Sequence, residues 1–197
     1  IASGLSQVTA RALLQDEQGF MWIGTQDGLN RFDGYSFRVY HRDRRNPSSL
    51  GDSHVTALAR GDDGPLWVGP MAGGLNRLHP ATDSIPPFRH RPGDAASLAA
   101  DGVVALLRRV NGNLWIATSG GALQRLAPGD SQFSSINPGV DLGVVRSMAE
   151  NTDGTLWLAG SHGLWRHRPD DGSWVRSQPD DAELGDLQAL AIDADGA

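Results

Sequence analysis

Gly19-Phe20-Met21-Trp22-Ile23-Gly24, Gly64-Pro65-Leu66-Trp67-Val68-Gly69, Gly112-Asn113-Leu114-Trp115-Ile116-Ala117 and Gly154-Thr155-Leu156-Trp157-Leu158-Ala159 are four copies of one pattern. Their tryptophans stand 45, 48 and 42 residues apart. Every copy carries the same landmarks in the same order. An alternating apolar stretch lies upstream, at Val8 to Leu14, Val55 to Leu58, Val103 to Leu107 and Val144 to Met148. A Leu-x-Arg step lies downstream, at Leu29-Asn30-Arg31, Leu75-Asn76-Arg77, Leu123-Gln124-Arg125 and Leu164-Trp165-Arg166. One aromatic follows each: Phe37, Phe88, Phe133 or Trp174. A fifth copy opens at Leu187-Gln188-Ala189-Leu190-Ala191-Ile192.

Each unit therefore offers four short extended segments separated by glycine-bearing turns, and nowhere does helical periodicity run for a full helix. Four strands in a period of about 40–50 residues predict an all-β chain, a β-propeller of four-stranded antiparallel blades. The tryptophan segments are apolar at consecutive positions, as a strand covered on both faces by neighbouring blades requires. A small residue sits two places after each tryptophan (Gly24, Gly69, Ala117, Ala159), where blades converge and bulk is excluded. The predicted blades run over about 8–42, 55–91, 103–136 and 144–177, with an incomplete blade at 187–197, all in one propeller region spanning 1–197. Five first strands against four of each other kind predict a fragment of a larger ring. Propellers have about 4–8 blades, and a seven-bladed ring at this repeat length needs roughly 315 residues.

Composition removes several classes of function. The 197 residues carry 17 basic and 23 acidic side chains, a net charge of −6. There is no cysteine, which excludes disulfides, thiolate nucleophiles and thiolate metal sites. There is no lysine either, so Schiff-base chemistry and a phosphate-loop lysine are absent. An acidic chain is a poor partner for nucleic acid, and no apolar run reaches the about 18 residues that span a bilayer. The chain begins at Ile1 without a signal-peptide pattern, which predicts a processed or excised piece. No serine elbow, zinc-binding helix or nucleotide fingerprint occurs. No catalytic residue, cofactor or metal is therefore expected.

Strand alternation within a blade places the connections between blades on the same face as the turns between second and third strands. The long connections 43–53, 83–101, 129–143 and 176–186 make this upper face the expected ligand surface. Its candidate ligand-binding residues are Asp27 in the first upper turn, Arg44 and Arg45 beside Arg42, His54 ahead of the second inner strand, Met71, and His162 in the fourth upper turn. The histidines suit an acidic or metal-borne ligand; Asp27 suits a sugar hydroxyl or a cation; the arginines suit a carboxylate or a polyanionic sugar. Met71 suits an apolar ligand. For each there is a plainer reading: surface histidines, an aspartate bonding its own turn, and an arginine loop neutralised by Asp43 and Asp52. Trp22, Trp67, Trp115 and Trp157, with the recurring arginines Arg31, Arg77, Arg125 and Arg166, read as structural. Asp193-Ala194-Asp195-Gly196 resembles the start of a calcium loop but occupies the slot of the repeat's own turn.

The run Gly4-Leu5-Ser6-Gln7-Val8, then Gln15-Asp16-Glu17-Gln18-Gly19-Phe20-Met21-Trp22-Ile23-Gly24-Thr25-Gln26-Asp27-Gly28-Leu29-Asn30-Arg31-Phe32-Asp33-Gly34, resembles the first repeat of the two-component regulator propeller family. The resemblance implies an extracytoplasmic, periplasmic sensor region of a bacterial membrane signalling protein, with two propellers, a small β-sandwich, a membrane span and a histidine kinase or diguanylate cyclase in the parent chain. It implies a non-enzymatic role for this region, in signal transduction. The expected partners are a small-molecule or oligosaccharide ligand, and another copy or propeller through blade edges or a dimeric parent. Two other classes stand beside it: a secreted propeller enzyme such as a lyase, and a scaffold for protein partners.

Overall fold

The computed structural model describes residues 4–61, 64, 66–79, 81–177 and 185–192, and among these every regular element is a strand. The first sheet comprises β1 (Ala10–Gln15), β2 (Met21–Thr25), β3 (Gly28–Phe32) and β4 (Phe37–Tyr40). The second comprises β5 (Val55–Arg60), β6 (Leu66–Pro70), β7 (Leu75–Leu78) and β8 (Pro87–Phe88). The third comprises β9 (Val103–Arg108), β10 (Leu114–Thr118), β11 (Leu123–Leu126) and β12 (Phe133–Ser135). The fourth comprises β13 (Val145–Glu150), β14 (Leu156–Gly160), β15 (Gly163–His167) and β16 (Trp174–Ser177). In every sheet the strands lie in chain order and pair antiparallel. These are the blades of a β-propeller. No described helix is long and apolar enough to cross a membrane.

The four tryptophans occupy one register position. Trp22 stands opposite Leu14 and Arg31, Trp67 opposite Ala59 and Arg77, Trp115 opposite Leu107 and Arg125, and Trp157 opposite Ala149 and Arg166. Partners across a strand pair share a face, which is why three of these arginines lie over their tryptophans, at 5.8 Å for Arg31, 5.4 Å for Arg77 and 5.6 Å for Arg166. Arg125 is exposed instead, and Arg109 takes its place, 5.2 Å from the Trp115 ring.

The core lies between blades. Trp22, Leu29 and Tyr40 of the first pack with Val55, Val68 and Leu78 of the second. Trp67 and Leu75 pack with Leu114 and Ile116 of the third, and Trp115 and Ala117 with Leu156 and Leu158 of the fourth. β6 and β10 are buried at every position because both faces are covered. Inner strands β1, β5, β9 and β13 neighbour one another in order, and space there is tight. A Cβ on Gly24 would come within 2.6 Å of the Val55 Cγ1, and one on Gly69 within 2.6 Å of the Val103 Cγ1. The face of the first sheet turned away from the second is open: Leu13 is 65% exposed, whereas Met148, at the same register position in the fourth, is 8% exposed.

The predicted fifth inner strand is not formed over residues 187–192, which carry no ladder pairing; residues 193–197, with the aspartates of the calcium-like run, lie outside the described residues. In the complete blades an inner strand is held by the tryptophan strand beside it. Here, among the described residues, the segment is held by blade four, through Leu187 N to Gly160 O at 3.0 Å and Leu190 N to Ser147 Oγ at 3.1 Å.

One half-buried histidine couples this packing to pH. His167 lies 4.7 Å from the Trp174 ring and 6.0 Å from Trp115, with its Nδ1 buried and unpartnered. Burial, then the nearby Arg109 charge, holds its pKa below the ordinary histidine value. The unfolded chain thus binds the proton more readily, so the contribution is present above about pH 6.5 and is lost as pH falls through the folded pKa. The urea midpoint is expected to fall on acidification below about pH 6.5, and a His167→Phe variant should fall less steeply. Parallel profiles for both proteins would assign the loss to other groups.

Candidate functional site

The upper face is shaped by two loops that resemble each other, 41–54 and 89–102. In the first, Asp43 N donates to Ser49 Oγ at 2.9 Å, and that hydroxyl reaches Asn46 O at 2.8 Å. In the second, Arg91 N donates to Ser97 Oγ at 3.0 Å, and that hydroxyl reaches Asp94 O at 2.8 Å. The leucine after each serine, Leu50 or Leu98, is fully buried. The next backbone N–H is then captured by a buried amide on the third strand: Gly51 N by Asn76 Oδ1 at 3.0 Å, and Ala99 N by Gln124 Oε1 at 2.7 Å. Asn30 does the same for Ser6 N at 2.9 Å. These amides are the middle residues of Leu-x-Arg. Their recurrence in three of the four copies was the available signal; a polar residue between leucine and arginine reads as outward-facing until the loop that covers it is seen. With a backbone N–H of each loop bonded to a buried amide oxygen and a leucine plug beside it, both loops are held in one shape, although Asn76 Nδ2 is left without a partner.

Between the loops lies a cleft of three adjoining hollows. Arg42, Arg44 and Asn46 line one end, and Pro87 and Arg89 its middle. Pro87 and Arg89 are shared with a section floored by Phe88 and Phe133. Arg91 and Ser97 are shared with the far end, where His90, Gln124 and Ser135 stand. The charge is cationic within an acidic chain. Among the described residues Arg42, Arg44 and Arg45 form no ion pair. Arg89 has Asp101 at 4.0 Å, and Arg91 has Asp94 at 2.7 Å.

The six expected site residues fall in different places. Arg44 lines the cleft; Arg45 does not, and its backbone N–H bonds Asp43 Oδ1 at 2.8 Å. His54 and Met71 are brought together, Met71 N donating to His54 O at 2.8 Å, and the His54 Nε2 is buried without a partner. Met71 is half exposed. Asp27 lies 3.7 Å from His41 Nδ1 in the first blade, and His162 lies 3.4 Å from Asp141 near the fourth. Neither lines the cleft. Arg42, Arg89 and Arg91 complete it, and sequence reasoning had left Arg89 and Arg91 out, because no spacing rule joins residues from successive interblade loops.

Among the described residues no three His, Asp or Glu side chains converge as a metal site would require. A second cleft lies on the lower face between Trp22 and Arg60, beside Asp16. Its carboxylate is committed to the fold, accepting from Gln18 N at 3.0 Å, Phe20 N at 2.9 Å and Trp22 Nε1 at 2.7 Å. The upper cleft, by contrast, presents Arg42 and Arg44, which form no ion pair among the described residues.

Residues 4–27 match the family model described as two component regulator propeller. A 47-residue stretch is 43% identical to histidine kinase P4 of Formosa agariphila, covering 24% of this chain and 3% of that protein. Among solved structures, the extracellular domain assigned to the hybrid two component system BT3049 from B. thetaiotaomicron superimposes with a TM-score of 0.85 at 24% identity, over 98% of this chain and 27% of that one. The virginiamycin B lyase of Staphylococcus aureus superimposes with a TM-score of 0.68 at 14% identity, over 89% of this chain and 57% of that one. At such identities the structural likenesses show the fold alone. The chain spans about a quarter of the BT3049 domain and a small part of the kinase.

Proposed function

With a two-component regulator propeller repeat at residues 4–27 as the premise, we propose that this chain is the ligand-sensing propeller region of a membrane-bound signalling protein. It works outside the cytoplasm, and the parent's output domain is a histidine kinase or a diguanylate cyclase. The observation that carries this reading is the upper face: two loops, each fixed by a buried amide, carry arginines over an open cleft, and among the described residues Arg42 and Arg44 of the first have no ion-pair partner. Rigid recognition loops bind without a large ordering cost. The likeness to histidine kinase P4 and to an extracellular two component domain supports the setting. The region acts by binding: the cleft is lined by guanidinium and hydroxyl groups, which suit holding an anionic or hydroxylated ligand. Signalling requires that the ligand bind one state of the parent more tightly than another.

Ligand binding is read most directly as stabilisation. A panel of neutral oligosaccharides, acidic oligosaccharides and small dicarboxylates, assayed by thermal unfolding, is expected to contain at least one member that raises the Tm. A ligand at 100 times its Kd contributes about 2.7 kcal/mol, a shift of several degrees for a domain of this size. A panel without any stabilising member, confirmed by calorimetric titration, would remove the sensing reading and leave a scaffold role ahead.

A further inference from the structure

We propose that the upper trough across the second and third blades binds a linear oligosaccharide carrying carboxylates, such as a run of uronic acids. This rests on the sensing reading above and gives it a ligand class. The three parts of the cleft adjoin one another, Pro87 and Arg89 lining two of them and Arg91 and Ser97 lining two. A ligand that touches all three parts must reach from Arg44 of the first loop to Arg91 of the second, which suits a chain of linked sugar units better than one small acid. Guanidinium groups recur along it from Arg44 through Arg89 to Arg91, each a planar fork matched to a carboxylate. Between them the floor is apolar: Pro87, then Phe88, whose ring meets Phe133 edge-on at 5.9 Å.

Alternation of cation and apolar floor is the complement of an acidic sugar chain, which presents carboxylates at its rim and C–H surfaces on its pyranose faces. An isolated anion would use the arginines and leave Phe88 idle. A neutral glycan would use the floor and leave Arg42 and Arg44 unpaired. The arginines are also exposed: Arg89 is met by Asp101 and Arg91 by Asp94, while Arg42 and Arg44 have no ion-pair partner among the described residues, so the site keeps positive charge without burying it. The loops that carry them are internally bonded, so the spacing of the cations is set before any ligand arrives.

The test uses oligogalacturonates of one to six units, the neutral galacto-oligosaccharides of the same lengths, and an acidic hexapeptide as probes of the whole chain, with calorimetric titration as the readout. Affinity for the uronate series is expected to climb with length and then level off, and to fall with added salt. Arg44→Gln and Arg89→Gln should each weaken the hexamer by about tenfold or more, the loss typical of a charge-assisted hydrogen bond. Arg176→Gln, on the exposed outer strand of the fourth blade, should bind as the parent does. Equal binding of neutral and acidic series, or retention of affinity in both cleft variants, overturns the acidic-sugar assignment while the sensing reading stands. Preference for the peptide overturns it in favour of a protein ligand. Failure of every probe here, with a stabilising ligand found in the thermal panel, overturns the trough alone; failure of both experiments overturns the two readings together.

Discussion

Replacing Glu150 with alanine is expected to destabilise the chain by about 3–5 kcal/mol, because it removes one half of a buried ion pair. Glu150 closes β13 and meets Arg109, just beyond β9, at 2.7 Å. The two side chains are 5% and 10% exposed. The carboxylate also accepts the Val110 N–H at 2.9 Å, while the guanidinium donates to Gly154 O at 2.9 Å and lies over Trp115. Alanine at 150 would leave a charged guanidinium and a backbone donor without their partner between the third and fourth blades, and water has little access to replace it. Glu150→Gln keeps an acceptor in place and should cost less. Arg109→Leu combined with Glu150→Met removes both charges and should recover much of the loss, since a buried pair contributes little beyond its own desolvation. Urea denaturation of the four proteins decides the matter. A loss below about 1 kcal/mol for Glu150→Ala would place the pair among solvated surface pairs.

The second large effect concerns the repeat's own residue. Trp67→Ala and Trp115→Ala should each cost about 3–5 kcal/mol, as deletions of large buried side chains. Both rings are nearly buried, at 7% and 6% exposure, and both lie in clusters built from two blades. Trp157 holds the same register position but is only partly buried, on the face of the fourth blade turned away from the third. Its alanine variant should lose clearly less. Arg44→Ala, on an exposed loop, should stay within about 0.5 kcal/mol. Chemical denaturation giving equal losses for Trp67 and Trp157 would show that burial between blades is not what these tryptophans contribute.

Most of the architecture was legible because it is periodic. The tryptophan segments became the second strands β2, β6, β10 and β14, and the Leu-x-Arg steps the third strands. A pattern repeated four times averages out the local ambiguity that makes a single apolar run unreadable. The arginine of Leu-x-Arg stacks over its tryptophan in three blades, and Arg125 shows where local context wins: Arg109, held by Glu150, already covers Trp115. The fifth inner strand was read from a further copy of the repeat's apolar opening at 187–192, but an apolar pattern describes side chains and not a hydrogen-bonded partner.

The candidate site was legible only in part. Arg44 was found because three arginines cluster within four positions of the chain. Asp27, His54 and His162 share a face with it, yet face is set by strand direction alone, whereas proximity depends on which loops lean together. Asp27 turned to His41 and His162 to Asp141. The buried amides Asn30, Asn76 and Gln124 were passed over because polarity alone suggests an outward side chain.

The order of strands, their antiparallel sense and the position of the tryptophans follow from the chain alone, because a period-two alternation between glycine turns admits one local structure, and its repetition in register admits one way of stacking. What surrounds each strand did not follow. The Arg109–Glu150 clamp joins residues 41 positions apart, and the trough joins Arg44 to Arg89 and Arg91 across nearly a whole repeat. Such contacts are not repeated from blade to blade, so no period records them. They arise where two blades close on each other, and the energy of a buried charge or a shared cleft depends on the distances that closure sets.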